Sequence, residues 1–126
     1  MFTIYREAAV SNAIRTLDVE RVGDVWIAHL KSGSLDETWI ERLGQDLLNL
    51  IHRDGCRRLV LHFGDLDCLY STLLGKLIGL RKVLAEAGGR LKIYGVSPLV
   101  KEIFRVCKLD DYFEFAEDRT SALRNW

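Results

Sequence analysis

The stretch Arg58–Tyr94 reads RLVLHF-GDLDCLY-STLLGKLIGLRKVLAEA-GG-RLKIY, and it decides the fold. Its first segment, Arg58 to Phe63, is nearly continuous in apolar residues, as expected of a central strand covered on both faces. Gly64–Tyr70 has the residue types of a loop. Ser71 or Thr72 can cap the helix that follows, whose apolar positions Leu74, Leu77, Ile78 and Leu84 recur at helical spacing to about Ala87. Gly88-Gly89 stops it, and Leu91–Tyr94 is a short strand. A strand, a helix and a second strand in this order imply parallel strands joined by a crossover helix.

The same alternation extends both ways. Downstream, Ser97-Pro98 starts a third helix, hydroxyl cap first and proline at the first helical position. Its expected buried face is Leu99, Val100, Ile103, Phe104 and Cys107. Leu109–Phe115 holds a turn and a last strand at Tyr112–Phe115, and residues 118–124 form a short terminal helix. Upstream, Ser34 with Glu37 has the capping-box spacing. Trp39, Ile40, Leu43, Leu47, Leu48, Leu50 and Ile51 form the apolar face of the helix it opens, and Asp54-Gly55 ends it. Before that, Ile14–Val22 and Val25–Leu30 are strands joined by the tight turn Gly23-Asp24, a hairpin. In the first of them Leu17 and Val19 should face the core, with Thr16, Asp18 and Glu20 facing water. The opening residues have no pattern and read as an N-terminal arm, 1–13, ahead of one domain, 14–126.

Composition excludes several classes. The chain has 126 residues, 48% of them hydrophobic and 29% charged, which is ordinary for one globular domain. Lys plus Arg and Asp plus Glu both number 18, so there is no net charge to grip nucleic acid or an anionic membrane. No stretch approaches the about 20 apolar residues of a membrane span. The opening MFTIYREAAV lacks the features of a signal peptide, so a cytoplasmic location is expected. The three cysteines, Cys56, Cys68 and Cys107, show no zinc spacing and read as free buried thiols.

Catalytic signals are scarce. No glycine-rich phosphate loop and no nucleophile elbow occurs. His29 and His62 lie within strand patterns and His52 near a helix end, all structural positions. Asp65 and Asp67 read as solvated turn formers rather than metal ligands, and Cys68 has no base beside it. No catalytic residue, metal site or cofactor is expected. What remains is the loop-to-helix junction from Leu69 to Gly75. A helix N-terminus presents unpaired N–H groups and partial positive charge, so it accommodates a phosphate well. A phosphorylated hydroxyl there gains roughly −1.5 to −2 charges, enough to break a docked complex.

At this junction the chain resembles a STAS domain, the module of bacterial anti-sigma factor antagonists and of sulphate transporter tails. The resemblance spans about residues 16–124. It rests on the strand LVLHF, then Ser71-Thr72-Leu73-Leu74-Gly75, the Gly88-Gly89 turn, the strand LKIYGVSP, the helix from Pro98 through Phe104 and the segment Cys107–Phe113. The order and spacing of these elements carry it. Two positions depart from the family pattern: Tyr70 replaces an acidic residue, and Leu73 replaces a glycine, adding bulk where a partner would approach.

The resemblance implies an α/β fold in a single STAS-like domain. Its mixed sheet has about four to five strands, with an opening antiparallel hairpin and helices mainly on one face. It implies no catalysis by this chain. It implies a protein partner, in many members a serine-kinase anti-sigma factor, and a switch by phosphorylation at the junction. Ser71 matches the phosphoacceptor and Thr72 the hydroxyl after it. The expected partner-binding residues around them are Asp67, Leu69, Tyr70, Leu73 and Lys76. Two other readings compete. One is a non-switched adaptor of a transporter or sensory complex in which Ser71 is only a cap. The other is a small-ligand or nucleotide sensor using the helix N-terminus as an anion site.

One apolar pattern asks for further cover. In Val25–Leu30, Trp26, Ala28 and Leu30 form one register and Val25 and Ile27 the other, so both faces of this strand need to be buried. With helices mainly on one face, the second is expected to meet another copy in a homodimer, or to lie under the N-terminal arm with Phe2, Ile4 and Tyr5.

Overall fold

The computed structural model describes residues 4–7, 16–31, 36–64, 66 and 71–126. In chain order the elements are β1 (Ile4–Glu7), β2 (Leu17–Val22), β3 (Val25–Leu30), α1 (Glu37–His52), β4 (Arg58–His62), α2 (Ser71–Glu86), β5 (Arg90–Tyr94), α3 (Pro98–Val106), β6 (Glu114–Phe115) and α4 (Arg119–Ala122). The strands form one mixed sheet in the order β1-β2-β3-β4-β5-β6. β1 to β3 run antiparallel, and β3 to β6 are parallel neighbours. This is the mixed sheet with an opening hairpin that the sequence implies, with Gly23 at φ +62° in the tight turn between β2 and β3. The sheet has six strands rather than four or five. The additional edge strand is β1, which comes from the segment expected as an arm and pairs with β2 from Ile4↔Arg21 to Glu7↔Asp18.

Helices α1, α2 and α3 bury their apolar stripes on one face of the sheet. Leu43, Leu47 and Leu50 of α1, Leu73, Leu77 and Leu84 of α2 and Phe104 of α3 pack with Trp26, Leu59, Leu61 and Ile93. α1 is capped by Asp36, whose carboxylate accepts from Trp39 N at 2.8 Å. Ser34, the expected cap, lies outside the described residues. The cap falls at Asp36 because its carboxylate reaches an otherwise unpaired amide of the first turn. Asp36→Ala should therefore lower stability by about 1 kcal/mol in urea unfolding, and an unchanged midpoint would show that the cap contributes nothing.

The second face of the sheet is covered by the chain's own C-terminal segment. Val25, Ile27, Val60 and Tyr94 pack with Ala122 of α4, and Val22, Leu123 and Trp126 close around them. A homodimer or the arm was the cover expected on that face; among the described residues the C-terminal segment supplies it. Both registers of β3 are buried, Trp26 under the helices and Ile27 under α4. Lys92 holds the segment from below. Its ammonium donates to the backbone carbonyls of Arg124 and Asn125 and lies over the Trp126 ring.

Other expectations shift for related reasons. Thr16 and Glu20 are buried rather than water-facing, Thr16 donating to Asp46 of α1 at 2.6 Å. Leu99 and Cys107 are exposed although both were expected on α3's buried face. That face is carried by Val100 and Phe104, and one residue's rotation of about 100° turns Leu99 away from it. Of the thiols, Cys56 is buried and Cys107 is not, while Cys68 lies outside the described residues. Burial pushes the Cys56 thiol up to about 12, so it stays protonated.

Candidate functional site

The junction is built by β4 and α2. β4 is flanked on both sides by parallel strands and buried through Leu59, Val60 and Leu61. Beyond it Phe63 N donates to Tyr94 O at 3.1 Å, and Gly64 turns the chain at φ +59°. α2 begins at Ser71. Ser71 and Thr72 are both exposed, inside the first turn of the helix rather than ahead of it. That first turn contains no acidic side chain, so the partial positive charge of the helix N-terminus is not offset from within α2.

Leu73 differs from expectation. It is fully buried in the core under the sheet, so it adds no bulk to the outer surface and is no partner contact. The helical rotation that exposes the two hydroxyls turns the next side chain inward. Lys76 stays partly exposed one turn further on, with Nζ 2.9 Å from Glu41 Oε2 of α1. Its stem lies across Gly44, where a Cβ would come within 3.0 Å of Cδ. A shallow cavity of about 210 Å³ between α1 and α2 is lined there by Gly44, Leu48, Gly75, Gly79 and Val83, beside Lys76. Asp67, Leu69 and Tyr70, like Asp65 and Cys68, lie outside the described residues. The described junction therefore consists of the two hydroxyls and the Lys76–Glu41 pair.

The second face carries a polar cluster that the sequence reading did not assemble. Glu20 of β2 is 1% exposed. Its Oε1 accepts from Arg119 Nη1 of α4 at 2.8 Å, and Arg119 Nη2 donates to Oε2, a bidentate pair. His29 Nε2 lies 2.9 Å from the same Oε1. The Arg119 guanidinium holds the Glu20 carboxyl down at about 2, against the opposing effect of burial, so Glu20 is ionised throughout the neutral range. His29 Nδ1 in turn lies 2.9 Å from His62 Nδ1, and the His62 ring stacks on Tyr94 at 4.4 Å. The signal available in the sequence was that Val22, Val25 and Ile27 make a second apolar register. A covered second face makes Glu20 a buried residue in need of a cation. Among the described residues no group of three or more His, Cys, Asp or Glu could hold a metal ion. Among them, too, no helix is long and apolar enough to cross a membrane.

The chain is similar in sequence and in fold to known proteins. A STAS domain family model covers residues 16–122. The chain belongs to the STAS domain family. An anti-sigma F factor antagonist of Paenibacillus polymyxa is 25% identical over 107 residues, covering 85% of this chain and 91% of that protein. An anti-sigma-factor antagonist (STAS) domain protein from Planctomyces limnophilus superimposes with a TM-score of 0.76 at 19% identity, over 85% of this chain and 94% of that one. The phosphorylated form of the Bacillus cell fate determinant SpoIIAA superimposes with a TM-score of 0.63 at 20% identity, over 81% of this chain and 92% of that one. None of these relatives is named as an enzyme.

Proposed function

We propose that this protein is a non-catalytic, cytoplasmic binding module of the anti-sigma factor antagonist type, switched by phosphorylation of Ser71. The observation that carries the reading is the placement of Ser71 and Thr72. Both are exposed in the first turn of a 16-residue helix that has no acidic side chain there. A phosphate on Ser71 meets the helix's partial positive charge and leaves the core intact. To a partner docked on the junction, the same phosphate brings a charge that must be desolvated. The partner is a protein, an anti-sigma factor by analogy with the named relatives, and its serine-kinase activity is what the family resemblance implies. Lys76, one turn beyond the acceptor, is proposed to contact the partner, and Asp67, Leu69 and Tyr70, which precede the acceptor in sequence, are proposed to contact it too. Leu73, pointing into the core, takes no part.

The test is incubation with ATP and a candidate serine-kinase anti-sigma factor, followed by intact-mass measurement. One phosphate is expected on the wild type and none on Ser71→Ala. Ser71→Asp should keep the fold, since an acidic group at a helix start is favourable by about 0.3–1 kcal/mol. It should also lower capture of the partner at least tenfold in a pull-down. Equal capture of wild type and Ser71→Asp would favour the non-switched adaptor, in which Ser71 serves the helix alone.

A further inference from the structure

Two consecutive strands hand the chain to opposite faces of the sheet. β5 and β6 are parallel neighbours, paired at Lys92↔Glu114 and Ile93↔Phe115. From β5 the chain enters α3, whose Val100 and Phe104 pack on the face that carries the large helices. From β6 it enters α4, whose Ala122 packs on the second face. Connections that leave neighbouring parallel strands in opposite directions open a crevice outside the carboxyl ends of those strands. That crevice is where open α/β sheets bind ligands.

The crevice is present here. A cavity of about 350 Å³ is lined by Gly95, Val96 and Lys101 from the β5 side and by Phe115, Ala116 and Glu117 from the β6 side. Small-molecule sites run from about 300 to about 1,000 Å³, so this one suits a small occupant.

The lining selects the chemistry of that occupant. Gly95, Val96, Phe115 and Ala116 are partly buried and make an apolar floor, while Lys101 and Glu117 are exposed at the rim. The Lys101 ammonium lies 4.4 Å from the centroid of the Phe115 ring, which holds it over the floor. Lys101 and Glu117 bring opposite charges to one cavity, and among the described residues they form no ion pair with each other. A ligand of single charge meets one of them favourably and the other unfavourably. A zwitterion meets both. Its carboxylate accepts from Lys101 Nζ and its ammonium donates to the Glu117 carboxylate, each a charge-assisted hydrogen bond. The floor then covers a hydrocarbon body.

We propose that the crevice between β5 and β6 binds a small apolar α-amino acid. Lys101 takes its carboxylate, Glu117 its ammonium, and the Phe115 ring its side chain. The site lies one strand beyond β4, at the sheet end from which the chain runs to Ser71. It stands whether or not Ser71 is phosphorylated.

Nitrogen-15 NMR of the full chain titrated with L-leucine tests this. The amide signals of Gly95, Lys101 and Phe115 should shift together and saturate. Isocaproate is leucine without its ammonium, and isoamylamine is leucine without its carboxylate. Each should bind at least about tenfold more weakly, having lost one charge-assisted bond. Lys101→Ala and Glu117→Ala should each weaken leucine binding by a similar factor. Both side chains are exposed, so signals from the core should stay in place in the variants. Should a variant fold poorly, the comparison of the three ligands on the wild type carries the test. No saturable shift at these three amides would overturn the proposal. So would isocaproate or isoamylamine binding as tightly as leucine, which marks a site for a single charge. Folded variants that bind leucine as the wild type does would overturn it too.

Discussion

Arg119→Ala is expected to destabilise the protein by about 3 kcal/mol at neutral pH. Removing one partner of a buried ion pair leaves an uncompensated charge, at about 3–5 kcal/mol in general. The lower end applies because the Arg119 side chain is 41% exposed while that of Glu20 is only 2% exposed, so water reaches the cation's side of the pair. The loss has a pH signature. The Glu20 carboxyl sits at about 2 in the folded protein against an ordinary 4.5. A lowered carboxyl stabilises the fold above its unfolded value, and that contribution disappears as pH falls from about 4.5 toward about 2. The gap between wild type and Arg119→Ala should therefore be full at pH 7 and narrow through that window, as read from urea midpoints. Equal midpoints at pH 7 would mean that α4 is held by its apolar contacts alone. A gap that stays constant with pH would mean that the arginine acts by packing rather than by charge.

Gly95→Ala is expected to cost about 2–5 kcal/mol. Two independent effects add. Gly95 has φ +76°, a left-handed conformation that costs an L side chain roughly 1–2 kcal/mol. The new methyl would also stand 2.4 Å from His62 Cδ2 and 2.8 Å from its Nε2. The ring cannot tilt away cheaply, because it stacks on Tyr94 and hydrogen-bonds His29. Displacing it leaves polar atoms short of partners, at about 1–3 kcal/mol. Gly23→Ala is the control. It shares the positive φ, at +62°, but a methyl there meets nothing within 4 Å. If both substitutions cost the same in urea unfolding, the His62 packing contributes nothing, and backbone conformation explains the whole effect.

The two experiments probe contacts between residues distant in sequence. The strand-helix-strand order was legible because each element carries its own periodicity. LVLHF has the continuous apolar run of a central strand, and Ser97-Pro98 is a helix start written in adjacent residues. The placement of Ser71 and Thr72 at the start of α2 was legible for the same reason. Leu73 was misplaced because its role follows from which side of a helix turn meets the sheet, and a family pattern with glycine there points outward. Leu99 and Cys107 were assigned to a face too wide for α3, where Val100 and Phe104 alone are fully covered.

The amino-acid order by itself determined the hairpin, the parallel strands, the three large helices and the hydroxyls at the junction. All of these depend on residues within a few positions of one another. What covers the second face was decided only in three dimensions. Glu20 and Arg119 are 99 positions apart, and nothing local to either marks the other as its partner. Alternation along β2 distinguishes one face of the strand from the other, but it does not say whether the second face meets water. α4, four residues long, settles that by lying across Ile27 and Val60. Its arrival turns a surface glutamate into a buried one and brings Arg119 to pair with it. Glu20, His29 and His62 already touch through the pairing of β2, β3 and β4, and α4 adds Arg119 to them.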